Sequence, residues 1–154
     1  ATKLCEVSWH FVATPAFLQT LTKPLQQPAD LVDTRLILPL VMGSKIVFHA
    51  RDSCASGSLD VTPSIQSGDY RLLYDAVLAD LGLALLPNYV TANAIAEGAL
   101  VPVLGHIVFP GLGNAMYLVR MPDRQPTMAA RAFLQFLREA IVTAAQSWQD
   151  EGGP

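Results

Sequence analysis

The sequence predicts an α/β fold, a mostly parallel sheet with helices on both faces. Three observations carry this reading. Apolar residues recur at helical spacing over Tyr70, Leu73, Tyr74, Val77, Leu78 and Leu81. The run from Leu83 to Leu86 is unbroken and ends at Pro87, which suits a short strand covered on both faces. Strand-like and helix-like segments alternate on short connections along the whole chain. Ser67-Gly68-Asp69, a helix over 69–81, Gly82 and GLALLP therefore form a strand-helix-strand crossover, and Gly82 is expected to let the chain leave the helix and turn back beside the sheet.

The other elements come in chain order. CEVSWHFVA (5–13) has the β-branched and aromatic content of a strand. Thr14-Pro15 is the N-cap and first position of a short helix, PAFLQTL, and PADL (28–31) makes a second Pro-initiated turn of helix. RLILPLV (35–41) and KIVFHA (45–50) are strands joined through Met42-Gly43-Ser44, with a polar loop RDSCASGS (51–58) after them. LDVTPSIQ (59–66) holds Pro63 and reads as an edge or irregular strand. Asn88 is expected to cap a helix YVTANAIAE that stops at Gly98. LVPVL (100–104) is a strand, HIVFPGLGN (106–114) a loop and AMYLVRM (115–121) another strand. Pro126 or Thr127 opens the last helix, with Phe133, Phe136, Leu137, Ala140, Ile141 and Ala144 on one face, before a disordered tail.

Composition bounds the function. A chain of 154 residues is one domain. It is 51% hydrophobic and only 15% charged, with mean hydropathy +0.34, so part of its surface is expected to be covered by something else. No apolar run is long enough to span a bilayer, and ATKLCEVSWHF lacks the pattern of a secretory signal, which points to a cytoplasmic chain with no membrane partner. Cys5 and Cys54 have no ligand-spaced neighbours and are expected to be free thiols. The net charge of −3 and the scattered Lys and Arg residues argue against nucleic-acid binding by this chain itself.

Motifs for chemistry are weak. PGLGNAM (110–116) lacks the third glycine of a dinucleotide fingerprint, and Gly43-Ser44-Lys45 lacks the upstream glycine of a P-loop. His10, His49 and His106 are far apart in sequence with no triad or metal spacing. No nucleophile elbow can be written around Ser53, Ser56 and Ser58. Asp75 and Asp80 read as solvated helix positions, and Arg71 as a surface residue. Neither an enzyme, a cofactor nor a metal is therefore expected. What does stand out is three strand-to-helix junctions: Ala13-Thr14-Pro15, Gln66-Ser67-Gly68-Asp69 and Leu86-Pro87-Asn88. In open α/β sheets ligands lie outside the carboxyl ends of the strands, and a helix N-terminus favours an anion. Thr14, Pro15, Ser67, Gly68, Asp69 and Pro87, with a wall from the loop Pro39 to Ser44, are the candidate ligand contacts, Asp69 acting as a cap.

The ordered set VATPAFLQ, PADL, SGDYRLLYDAVLADLGLALLPNYV, AEGALVPVL and AMYLVRMPDRQPTMAARAFLQFLREAI resembles the effector-binding domain of LysR-type transcriptional regulators, from about Trp9 to Ile141. The resemblance implies a lobe of the type 2 periplasmic-binding-protein-like fold. It implies a small-molecule effector bound between two lobes without chemistry, and the helix N-termini at the candidate contacts make a small organic anion the expected effector. DNA contact would fall to an N-terminal helix-turn-helix, which these residues lack. Residues 1–108 would form the second lobe, 109–147 the strand and helix returning to the first lobe, and 148–154 the tail. The first half of the first lobe is then expected to be missing, leaving apolar helix surface exposed and the chain prone to form a homo-oligomer. A solute-binding protein of the same fold is the alternative reading.

Overall fold

The computed structural model describes residues 1–51, 55–110, 113–120 and 127–149. In chain order its elements are β1 (Thr2–Glu6), β2 (Trp9–Ala13), α1 (Pro15–Gln19), β3 (Leu36–Pro39), β4 (Lys45–Ala50), β5 (Ser56–Asp60), β6 (Ile65–Ser67), α2 (Tyr70–Leu78), β7 (Leu83–Pro87), α3 (Asn88–Ala96), β8 (Val101–Val103), β9 (Ile107–Val108), β10 (Ala115–Leu118) and α4 (Met128–Gln149). Short 3₁₀ turns cover Pro28–Leu31 and Leu40–Met42. Ser53, Cys54, Gly111, Met121, Pro126 and the tail from Asp150 lie outside the described residues, and the expectations placed on them lie outside with them.

A five-stranded sheet in the order β6-β3-β7-β2-β8 is the centre of the protein. Side chains alternate across it. Phe11, Ala13, Leu36, Leu38, Leu83 and Leu85 enter one core with Phe17 of α1, Leu31, Ile46 and Phe109. Val12, Ile37, Ala84 and Leu86 enter the other, beneath Leu73, Ala76 and Val77 of α2 and Ala94 of α3. The continuous apolar runs in β3 and β7 exist because both faces of each strand are covered. The first of these layers is completed by α1 and by a three-stranded sheet, β5-β4-β9.

The sheet is mixed. β3 is parallel to β6 and β7, whereas β2 is antiparallel to β7 and β8, because β2 enters the sheet at the end from which β7 leaves it. The expected crossover is present: β6, α2 and β7 form it, with β3 between the two strands. The stretch 5–13 is not one strand. It breaks at Val7-Ser8, so that β1 pairs with β10 in a separate two-stranded ribbon and β2 joins the main sheet. Part of the expected polar loop is strand as well. Ser56, Gly57 and Ser58 lie in β5, where Gly57 stands opposite Phe48 and the aromatic ring covers it; a Cβ at Gly57 would come within 2.7 Å of that ring. Ile107 and Val108, expected in a loop, form β9 against β4. LDVTPSIQ is not one strand: Leu59 and Asp60 end β5, Ile65 and Gln66 begin β6 at the edge of the main sheet, and Pro63 lies between them; Pro102 sits in the opposite edge strand, where it disrupts little.

Gly82 acts differently from expectation. The left-handed residue that ends α2 is Asp80, with φ of 59°. Its N–H donates to Val77 O and the Leu81 N–H to Ala76 O, a Schellman ending with Asp in the position usually held by glycine. Asp80 is held there by a hydrogen bond from the Thr14 hydroxyl. Gly82 provides room: a Cβ on it would lie 2.5 Å from the Arg35 carbonyl oxygen, which accepts from Leu83 N at 2.8 Å. Gly82→Ala should therefore destabilise the fold by about 1–3 kcal/mol through overpacking. Gly105→Ala, with open space around its Cβ and no positive φ, should be nearly neutral. Urea unfolding midpoints of the two variants check this; equal midpoints would refute the close-contact account.

Candidate functional site

The carboxyl ends of the parallel strands stand in a row. Pro39 pairs with Ser67 across β3 and β6, and β7 ends on the same side at Pro87. Trp9, the first residue of the antiparallel strand β2, lies opposite Pro87 and extends the row. α2 and α3 both begin at this edge. Thr14 and Pro15 do not. β2 runs the other way, Val12 pairs with Ala84 near the start of β7, and Thr14 bonds to Asp80 at the opposite end of the sheet. Thr14 does cap α1, accepting from Phe17 N at 3.1 Å. Of the seven candidate contacts, Pro39, Ser67, Gly68, Asp69 and Pro87 are thus brought to one edge, and Thr14 and Pro15 are separated from them by the length of the sheet.

At that edge the backbone is shaped by its own side chains. Ser67 Oγ accepts from Asp69 N at 3.0 Å, and Asp69 Oδ1 accepts from Arg71 N at 2.8 Å, so Asp69 is the cap that the sequence indicates. Gly68 faces open space. Arg71 is committed to its own helix: its Nε lies 3.0 Å from each Asp75 oxygen and its guanidinium 6.0 Å from the centre of the Tyr74 ring. An aromatic pair closes the row, with the Tyr70 ring edge-on to Trp9 at 5.8 Å and Trp9 Nε1 donating to Gly113 O at 2.8 Å. Sequence reasoning missed both aromatic residues as site groups. Only the antiparallel entry of β2 brings them together, and no local pattern encodes that.

Asn88 departs furthest from its expected role. It is the first residue of α3, and Pro87 occupies the N-cap position. The Asn88 side chain is 3% exposed and bridges two distant segments, accepting from Ser8 N at 3.3 Å and donating to Trp148 O at 3.4 Å, while its own N–H donates to Ser8 O at 2.9 Å. Trp148, expected in a disordered tail, is helical and packs against the Tyr89 ring at 5.9 Å. Val7 N donates to Asn114 O at 2.8 Å. The break between β1 and β2 is thus clasped by α3, by the segment before β10 and by the end of α4.

His10, on β2, contacts Thr91 of α3 at 2.7 Å and is half-buried, and the loss of solvent around its ring pushes its pKa down to about 4. It is a neutral packing histidine here. His49 lies on β4 opposite Ser56, and His106 accepts from Arg51 N through its carbonyl. Among the described residues no group of three His, Cys, Asp or Glu side chains is placed to hold a metal, and no helix is long and apolar enough to cross a membrane. Cys5 is a free, buried thiol.

The model of the family described as the LysR substrate binding domain matches residues 1–142. This chain belongs to that family. PtxR, an HTH-type transcriptional regulator of Pseudomonas aeruginosa, is 28% identical over 141 residues, which is 92% of this chain and 44% of PtxR. The chain spans less than half the length of that relative. The regulatory domain of AphB from Vibrio vulnificus superposes with a TM-score of 0.72 at 21% identity, covering 88% of this chain and 66% of that one. The regulatory domain of CrgA from Neisseria meningitidis gives 0.72 at 20% identity, covering 90% and 67%. At such identities these structures establish a common fold, the type 2 periplasmic-binding-protein-like architecture with a mixed sheet.

The His10 environment has a measurable consequence. The unfolded chain takes up a proton near pH 6.5, as an ordinary histidine does, whereas the folded protein resists it until about pH 4. Unfolding is therefore favoured as pH falls through this interval, and the stability lost by pH 4 is on the order of 3 kcal/mol. His10→Gln should flatten that part of the stability–pH curve. Denaturation midpoints at intervals between pH 7 and pH 4 test it, and parallel curves for the two proteins would refute it.

Proposed function

We propose that this chain senses a small organic anion for a LysR-type transcriptional regulator, binding it at the sheet edge formed by Pro39, Ser67, Gly68, Asp69 and Pro87. The observation that carries the proposal is the row itself. Three parallel strands end beside two helix N-termini, with Trp9, the first residue of β2 after the Val7-Ser8 break, opposite Pro87. Backbone N–H groups at such termini favour a carboxylate, each by about 0.3–1 kcal/mol. In this proposal residues 1–108 belong to one lobe, and 109–147 return through β10 and α4 toward the other. Ligand binding changes how the lobes sit and alters DNA contact made by a helix-turn-helix segment outside residues 1–154; the ligand itself is not transformed. Family membership favours this reading over a transport protein.

The assembly is a cytoplasmic homo-oligomer in this proposal. Phe133 and Phe136 on α4 are 60% and 66% exposed, which is more apolar helix surface than a lone domain ordinarily leaves open.

The edge is tested on the 154-residue chain itself. Amide shifts during titration with acetate, succinate and citrate should concentrate between Ser67 and Arg71. Gly68→Val should abolish them without lowering the melting temperature, since its Cβ meets open space. Shifts that ignore this segment for every acid tried, or that survive Gly68→Val, would move the site elsewhere.

A further inference from the structure

We propose a second ligand site, in the groove between the β1–β10 ribbon and α4, that takes an elongated dianion: two acidic groups joined by an apolar chain. The groove has a volume of about 790 Å³, within the range of small-molecule sites. Leu118 and Arg120 stand on the ribbon side, and α4 supplies the other wall from Arg131 to Thr143. No strand end or helix N-terminus of the sheet edge contributes, so the groove stands or falls separately from the edge reading.

The order of side chains along α4 gives the ligand its shape. An α-helix brings residues seven apart back to nearly the same side after two turns. Arg131 and Arg138 are such a pair, about 10 Å apart along the axis, and both line the groove. Arg120, just beyond β10, adds a third cation from the opposite wall. Leu134 lies between the two helix arginines, Val142 one turn beyond Arg138, and Leu118 across from them. Cations therefore stand at separated points with carbon between them. A short acid can satisfy only one of those points, whereas a long one spans them and lays its chain on the leucines.

Charge fixes the class. Three guanidinium groups line the groove against one carboxylate, Glu139, which already accepts from Gln135 Nε2 at 3.0 Å. Among the described residues the ion pairs are Lys3 with Glu6, Lys23 with Asp30 and Arg71 with Asp75, and none involves these arginines. All three are exposed, so their planar forks are free to turn toward a carboxylate and hold it with two hydrogen bonds. The chain as a whole carries −3, which makes the groove a local concentration of positive charge and not part of a basic surface.

The test is a titration of the 154-residue chain, followed by amide shifts, with sebacate, decanoate and succinate as probes. Decanoate keeps the length and loses one charge; succinate keeps both charges and loses the length. We expect sebacate to move the amides of Leu118, Arg120 and residues 131–143, with the other two about ten-fold weaker there, as the loss of one charged fork or of the spanning chain requires. Arg131→Gln and Arg138→Gln should each weaken sebacate by a similar factor while leaving the helical circular dichroism unchanged, since both side chains are exposed. Lys45→Gln, at an exposed cation of β4, should have no effect. Decanoate or succinate as tight as sebacate at these amides, indifference to both arginine substitutions, or sebacate shifts confined to Ser67–Arg71 would each overturn the groove site. The last of these would leave the edge site standing.

Discussion

Everything in this protein depends on how β2 pairs with β7. β7 is the central strand, its residues Leu83 to Leu86 have no exposed surface, and its neighbours run in opposite directions. With β3 on one side it extends a parallel sheet whose carboxyl ends share an edge. With β2 on the other it reverses that polarity. The entry of β2 therefore faces the exit of β7. This one antiparallel pairing places Trp9 beside Pro87, sends Thr14 to the far end of the sheet and lets Asn88 reach Ser8. Hydrophobic burial drives the sheet together, but it does not distinguish the two directions. Register is a separate constraint, because a one-residue slip would turn Phe11 and Ala13 away from the core they share with Leu85.

Much of the fold is legible in the sequence where local rules and tertiary needs agree. α1 starts at Pro15 behind a Thr14 cap, α2 behind Asp69, and α3 stops where Gly98 takes φ of 72°. The crossover from β6 through α2 to β7 is signalled by one change of hydrophobic period. The misses arise where a distant partner overrides local preference. Ser56-Gly57-Ser58 has the composition of a loop, yet Phe48 supplies the packing that the glycine lacks. Asp80 takes the helix-ending role expected of Gly82 because a threonine hydroxyl holds it, while Gly82 is needed where the Arg35 carbonyl, just before β3, leaves no room for a Cβ. Asn88 looks like a cap and is a bridge, since Pro87 already occupies the cap position.

The candidate site divides in the same way. Residues that reach the edge through parallel strands, namely Pro39, Ser67 and Pro87, can be read from sequence once the strands are recognised. Those that depend on the antiparallel entry, Trp9 above all, cannot, and Thr14 is misplaced for the same reason. A helix N-terminus is easy to see in a sequence. The direction in which it points depends on strand polarity, which a single chain conceals.

The clasp at Asn88 also sets a length scale. α4 runs from Met128 to Gln149, and Asn88 meets it at Trp148, close to one end. At 1.5 Å per residue, Met128 stands about 30 Å along the axis from that bond. Turning the helix by about 10° around the clasp would carry its far end roughly 5 Å, more than the pitch between neighbouring strands. The amide of one buried asparagine thus holds one end of a helix whose other half, about 20–30 Å away, carries the exposed Phe133 and Phe136.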